Sequence, residues 1–272
     1  MGPMRCAVLG DPVAHSLSPV LHRAAYDALG LDWTYEPVRV PAGGLPEFLA
    51  RLDESWRGLS LTMPLKREVL GLLDSRDRWT EMSGAANTVL LDAHGRHGLN
   101  TDVPGAVAAL RSATDRPLTR AVVLGGGATA ASALLALAEL GTTHATLVVR
   151  DVARAADTLA AVARHPRAPV VEVTRADGAV LEAEVVVSTV PAAAQTPDLV
   201  ARVAAVPVVF DVVYDPWPTP LTSAAAGSGR TIVSGLDLLL WQAVDQVRAM
   251  TGRFDVPVEA MRSALAAVRA LG

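Results

Sequence analysis

The sequence predicts an α/β protein of two domains built on mostly parallel sheets. Three observations carry this. Short β-branched runs alternate with Ala- and Leu-rich helical stretches along nearly the whole chain, the pattern of strand-helix-strand crossovers. The 272 residues exceed the roughly 250 at which a single hydrophobic core usually stops growing. A strand, three consecutive glycines and a helix follow one another through residues 120–140. Hydrophobic residues make up 51%, charged residues 19%, and the formal net charge is −4, values of a globular enzyme and unlike a nucleic-acid binder.

Residues 5–9 read as a strand, broken by Gly10-Asp11-Pro12. It holds Cys6, the sole cysteine, whose apolar neighbours make it a small core thiol and leave no disulfide or cysteine cluster for a metal. Ser18-Pro19 then supplies an N-cap and a first-turn proline for a helix ending near Gly30. Ser16 and Ser18 thus sit at a strand-to-helix junction, where a hydroxyl either caps the helix or faces a ligand at the carboxyl end of a parallel strand. One cap suffices, which frees Ser16 for the second role. Residues 33–40 form a second strand, 45–52 a helix, and 58–61 a third strand leading into a further helix.

That helix carries Lys66, the only lysine among 24 basic residues. Lysine differs from arginine in giving up a proton at accessible pH, so Lys66 is the first candidate for an acid/base group; the alternative is a solvated surface lysine. Pro64 suits the first turn, which would set the ammonium against the positive end of the helix dipole and favour proton donation. A polar helix around residues 76–82 precedes a strand over 84–91, a turn at 93–96 and a return through 97–102. Asn87, Asn100, Thr101 and Asp102 gather at strand ends; on local sequence Asp102 reads first as the N-cap of the helix that Pro104 opens.

Residues 121–138 carry no charge, yet Gly125-Gly126-Gly127 divides them into a strand and a helix, so they are not a membrane span. Gly125, Gly126, Gly127, Ala128, Thr129 and Ala130 form a G-x-G-x-x-A turn between strand and helix, the context in which backbone N–H groups receive a pyrophosphate. The next strand ends at Val149-Arg150-Asp151, with Arg154 one turn on. Arginines there suit the 2′-phosphate of NADP and an acidic group the ribose of NAD; Arg150 and Arg154 favour NADP, while Asp151 doubles as an N-cap. Strands at 170–173, 184–188 and 206–213 continue the sheet, and residues 236–250 and 257–271 form closing helices.

Taken together, Ser16-Leu17-Ser18-Pro19, Thr62-Met63-Pro64-Leu65-Lys66, Ala86-Asn87-Thr88, Asn100-Thr101-Asp102, the loop 125–130, Asp211 to Pro216 with Thr219-Pro220-Leu221, and Gly235 with Gln242 resemble the shikimate dehydrogenase family over essentially the full chain. The resemblance implies reversible, NADP-dependent reduction of 3-dehydroshikimate to shikimate in aromatic amino-acid biosynthesis, on a substrate-binding α/β domain and a Rossmann-like NADP-binding domain. It raises Asp102 from cap to catalytic partner of Lys66. It also implies Ser16, Ser18, Ser60, Thr62, Asn87, Tyr214 and Gln242 as substrate ligands, and adds Thr189, Val212, Gly235 and Leu238 on the cofactor side. Ser60 stands where many relatives have Asn, and Val149 and Asp151 replace two polar neighbours of the arginine, which leaves NAD as a secondary cofactor. Expected domains are 1–102 completed by 237–272, and 103–236, the C-terminal helices folding back on the first. Alternatives on this scaffold are a quinate/shikimate or aminoshikimate dehydrogenase, or a shikimate sensor without turnover. The N-terminal residues lack a secretion signal, giving an expectation of a cytoplasmic monomer or homodimer with small-molecule partners, no nucleic acid, no membrane and no metal.

Overall fold

The computed structural model describes residues 2–271; the side chains of Arg154 and of residues 269–271 lie outside that description, so the expectation for Arg154 does too. The chain divides into two compact units. The first runs to Thr101 and resumes at Gln242; the second is Asp102–Trp241.

In the first unit, β1 (Met4–Gly10), α1 (Ser18–Ala28), β2 (Trp33–Arg39), α2 (Leu45–Ala50), β3 (Trp56–Leu61) and α3 (Leu65–Glu68) alternate as expected. They are followed by β4 (Ser75–Arg76), α4 (Arg78–Ser83), β5 (Thr88–Asp92) and β6 (Gly95–Leu99). The sheet order is β2-β1-β3-β5-β6-β4. β1 lies between two parallel neighbours, with Leu9 opposite both Val38 and Leu61. β5 runs antiparallel to β3 and turns directly into β6, so it begins at the edge where β1 and β3 end.

Three local expectations are corrected, and one short strand is added. Helix α1 begins at Ser18, with Leu17 in the N-cap position and no side-chain cap; the Ser16 hydroxyl accepts from the Ser18 backbone N–H at 3.3 Å, and Ser18 itself is buried. Helix α3 is a single turn with Pro64 in the cap position, continued as a 3-10 turn Val69–Leu72, so its dipole is a small part of a long helix's. Gly84 does not open a strand: at φ 63° it is the left-handed cap of α4, a helix that starts at Arg78 because the Asp77 carboxylate accepts from Thr80 N. The two-residue β4 is too short to leave a pattern in the sequence.

The second unit holds α5 (Asp102–Ala113), β7 (Arg120–Leu124), α6 (Ala128–Glu139), β8 (His144–Val149), α7 (Ala156–Val162), β9 (Val170–Arg175) and β10 (Val185–Ser188). It continues with α8 (Pro197–Arg202), β11 (Val208–Asp211), α9 (Pro220–Ala225), β12 (Thr231–Val233) and the start of α10 (Gly235–Thr251). The strands pair in parallel in the order β12-β11-β10-β7-β8-β9. The order reverses between β7 and β10, which opens a crevice at their carboxyl ends. The last helix, α11 (Val258–Leu271), belongs to the first unit and packs on α1 there.

Two cores cover the first sheet. Leu9, Leu45, Leu59, Leu65, Val69 and Val89 fill one, and Cys6, Val8, Tyr26, Tyr35 and Met250 the other. Cys6 is a buried free thiol, and burial pushes it up to about 11, which leaves it protonated and inert. No helix among the described residues is long and apolar enough to cross a membrane.

Candidate active site

Three segments meet at the carboxyl edge of the first sheet. Thr62 follows β3 and donates its backbone N–H to Leu9 O of β1 at 2.9 Å, while Asp11 N, beyond β1, reaches Met63 O at 3.0 Å. A Cβ on Gly10 would stand 2.3 Å from Thr62 Cγ2, so the two strand ends approach this closely only because residue 10 is glycine. The antiparallel segment enters from the other side: Leu61 N donates to Asn87 O at 2.7 Å and Ala86 N to Lys66 O at 2.8 Å. The serines after β1, Thr62 and Lys66 after β3, and Asn87 before β5 are thereby drawn to one edge. Lys66 is half-buried there.

The Asn87 amide is fixed at both ends. Its Oδ1 accepts from Thr88 Oγ1 and from Thr101 N, each at 2.9 Å; its Nδ2 donates to Thr101 Oγ1 at 2.9 Å and to Gln242 Oε1 at 3.3 Å. Asn87, Thr101 and Gln242 are all buried. Thr101 is the residue before Asp102, itself buried as the first residue of α5. The hydroxyl of Ser60, expected as a substrate ligand, accepts from Tyr35 Oη at 2.6 Å and donates to Gln246 Oε1 at 3.0 Å, two partners inside the protein. The interior residues Gln246, Tyr35 and His22 escaped the sequence reading. The available signal was the pair Gln242 and Gln246, spaced i, i+4 in an apolar helix and hence on one face. His22 is fully buried and stacked on Tyr35 at 3.9 Å between ring centroids; desolvation, partly offset by its bond to Gln246, lowers it to about 3 and keeps it neutral.

In the second unit, Gly125 follows β7 at φ 110°, a conformation side chains rarely adopt, and a Cβ there would lie 2.4 Å from Thr189 Oγ1. Thr189, which follows β10, donates that hydroxyl to Leu124 O at 2.8 Å and so ties the two lips of the crevice. Gly127 caps α6 with nothing within 4 Å of where its Cβ would be, so space for a ligand remains in front of the N–H groups at Ala128, Thr129 and Ala130. The Gly126 carbonyl accepts from Thr158 Oγ1 at 2.9 Å, which braces the turn from behind. Arg150 is exposed at the end of β8, and Asp151 turns its carboxylate onto Ala153 N at 3.0 Å as an N-cap.

Farther along this crevice, Val212 N donates to Ser188 O at 3.0 Å, and a Cβ on Gly235 would fall 2.2 Å from Val212 O, so the start of α10 sits directly on that strand end. Leu238 follows one turn on, buried. The loop carrying half-buried Tyr214 is anchored by Asp211, whose carboxylate accepts from Gln195 Nε2 and Thr219 Oγ1 at 2.7 Å each and from Val213 N at 3.1 Å. Burial pushes Asp211 upward, and these donors oppose the shift. Among the described residues no group of three or more His, Cys, Asp or Glu side chains could hold a metal ion.

A parallel sheet with a glycine turn at its switch point in one unit, and a strand edge presenting a lysine, amides and hydroxyls in the other, define the class of dinucleotide-dependent α/β enzymes. Residues 8–89 match the family described as the shikimate dehydrogenase substrate binding domain, and residues 235–266 the shikimate 5′-dehydrogenase C-terminal domain. The shikimate dehydrogenase (NADP(+)) of Methanothermobacter thermautotrophicus is 33% identical over 276 residues, covering 95% of this chain and 94% of that protein. The crystal structure of Mycobacterium tuberculosis shikimate dehydrogenase superposes with a TM-score of 0.89 at 43% identity, covering 97% and 100% of the two chains. The Thermus thermophilus shikimate 5-dehydrogenase in complex with NADP(H) and shikimate gives 0.84 at 30% identity, covering 96% and 98%. The chain belongs to the shikimate dehydrogenase family.

Proposed function

We propose that this chain catalyses the reversible reduction of 3-dehydroshikimate to shikimate with NADP, a step of aromatic amino-acid biosynthesis. The observation that carries the reading is the edge at which Lys66, Thr62, Asn87 and Gln242 come together, in a chain whose family is defined by this reaction.

NADPH, when bound, supplies the hydride. The crevice residues suit it: the open space at Gly127 and the N–H groups opening α6 fit a pyrophosphate, Arg150 fits the 2′-phosphate, and the residues Thr189, Val212, Gly235 and Leu238 line the strand ends nearby. Because Asp151 is occupied as a cap, it competes little for that position, which supports NADP over NAD as the preferred cofactor.

Lys66 holds the proton that the carbonyl oxygen needs as negative charge grows on it, and Asp102 accepts from the adjacent hydroxyl of the ring. A cation placed where charge develops acts most strongly in the transition state. The fixed amides of Asn87 and Gln242, with the hydroxyl of Thr62 and the Tyr214 phenol, select the ring hydroxyls; Ser16 and Ser18 take the carboxylate. Each chain carries the full set, so a monomer or homodimer in the cytoplasm suffices.

The test is formation of reduced nicotinamide when purified protein meets shikimate with NADP or NAD, with quinate as control. Turnover with shikimate and NADP supports the reading. Turnover with quinate alone, or binding of shikimate without hydride transfer, overturns it.

A further inference from the structure

We propose that Gln246 is a positioning residue for the substrate, closing a directed chain of hydrogen bonds from Tyr35 to Asn87, and that Ser60 is a link in that chain instead of a substrate ligand. The inference rests on the reading above, in which Asn87 and Gln242 hold the ring hydroxyls.

Each link has a determined direction. The Tyr35 phenol donates to Ser60 Oγ (2.6 Å), which leaves the Ser60 proton for Gln246 Oε1 (3.0 Å). The same oxygen faces Nε2 of His22 at 3.1 Å, and a neutral ring gives its proton there because an amide oxygen can only accept. With its oxygen thus occupied, Gln246 must turn its N–H2 the other way, onto Thr88 Oγ1 at 2.8 Å and Asn87 O at 3.3 Å. Thr88, having accepted, donates to Asn87 Oδ1 at 2.9 Å. The Asn87 N–H2 is then the end that meets Gln242 Oε1. Reversing Gln246 would set its carbonyl against the Asn87 main-chain oxygen and its N–H2 against the donor of His22.

Gln246 is 1% exposed and Tyr35 and His22 are fully buried, so no solvent substitutes for a missing link. Ser60 fits this role because its hydroxyl receives and passes on a proton at a single atom.

The experiment is steady-state kinetics, with a double-mutant cycle over Ser60→Ala and Gln246→Leu, and Gln246→Glu as the variant that keeps the acceptors and loses the donors. Wild-type turnover with shikimate and NADP is established first; its absence removes the proposed function and this inference together. Gln246→Leu and Gln246→Glu are each expected to raise KM for shikimate about tenfold, while kcat at saturation and KM for NADP stay within about twofold. Ser60→Ala is expected to add little on top of Gln246→Leu, because both break one chain. Unchanged KM with a lowered Tm makes Gln246 merely structural and overturns the proposal. Additive losses return Ser60 to direct contact with the substrate, and Gln246→Glu alone decides the matter if Gln246→Leu does not fold.

Discussion

At the edge of the first sheet Asn87 is held in place by side chains, whereas in the crevice of the second unit the fit depends on side chains being absent. Thr88, Thr101 and Gln242 grip both ends of the Asn87 amide, and behind them Gln246, Ser60 and His22 decide which end is which. In the crevice, Gly125 and Gly235 leave no room for a methyl group against Thr189 and Val212, and the groups offered are main-chain N–H. The difference matches what each edge is proposed to recognise. A polyol is read by donors and acceptors whose order matters, while a pyrophosphate is a diffuse anion that any converging set of N–H groups will hold.

The comparison breaks most visibly at Lys66, which is proposed to serve the chemistry and belongs to neither scaffold. Lys66→Ala is expected to lower kcat by about 10³ while shikimate still binds, measured by stopped-flow turnover and equilibrium titration. Near-normal kcat would remove Lys66 from the reaction. The backbone logic of the second unit is next. Gly235→Ala drives a Cβ into Val212 O, where only main chain can give way, and should cost about 3 kcal/mol in denaturant unfolding. A variant of wild-type stability would show that the contact relaxes freely.

A smaller effect sharpens the cofactor side. Arg150→Ala should raise KM for NADP about tenfold and leave NAD within twofold, the loss of one charge-assisted contact. Equal losses would deny the 2′-phosphate role. A pH-dependent effect concerns the first unit's interior. His22 titrates near 6.5 when unfolded and at about 3 in the fold, so above 6.5 both states are neutral and the group is neutral to stability. As pH falls from 6.5 towards 3, only the unfolded chain takes up the proton, and stability should drop by up to ~1.4 kcal/mol per pH unit. His22→Gln, which cannot titrate, should flatten that slope; an unchanged slope would place the effect elsewhere.

Much of the architecture is legible in the sequence because it is periodic. The alternation of strands and helices, the glycine turn and the isolated lysine each leave a mark within a few residues. Ser18 reads as a cap because serine before proline serves equally at the cap and at the first helical position, and only the fold decides that Ser16 takes the backbone N–H. The Ser60 hydroxyl has partners that sequence could not show: Tyr35 and Gln246 stand 25 and 186 residues away, beyond any local pattern. The carboxylate of Asp211 is visible as part of a motif, but its task of tying Thr219 and Gln195 together emerges only in the fold.

The lone lysine also makes the molecule unusual to a chemist. Apart from the α-amine of the chain, its half-buried Nζ is the one amine an acylating or reductively methylating reagent can meet in this arginine-rich protein. A single isotopic methyl or a small fluorophore placed on that nitrogen would report from the edge where Thr62 and Asn87 converge, with no background from other side chains. A protease specific for lysine would have one internal bond to cut, Lys66-Arg67, and its rate would measure how often that short helix opens.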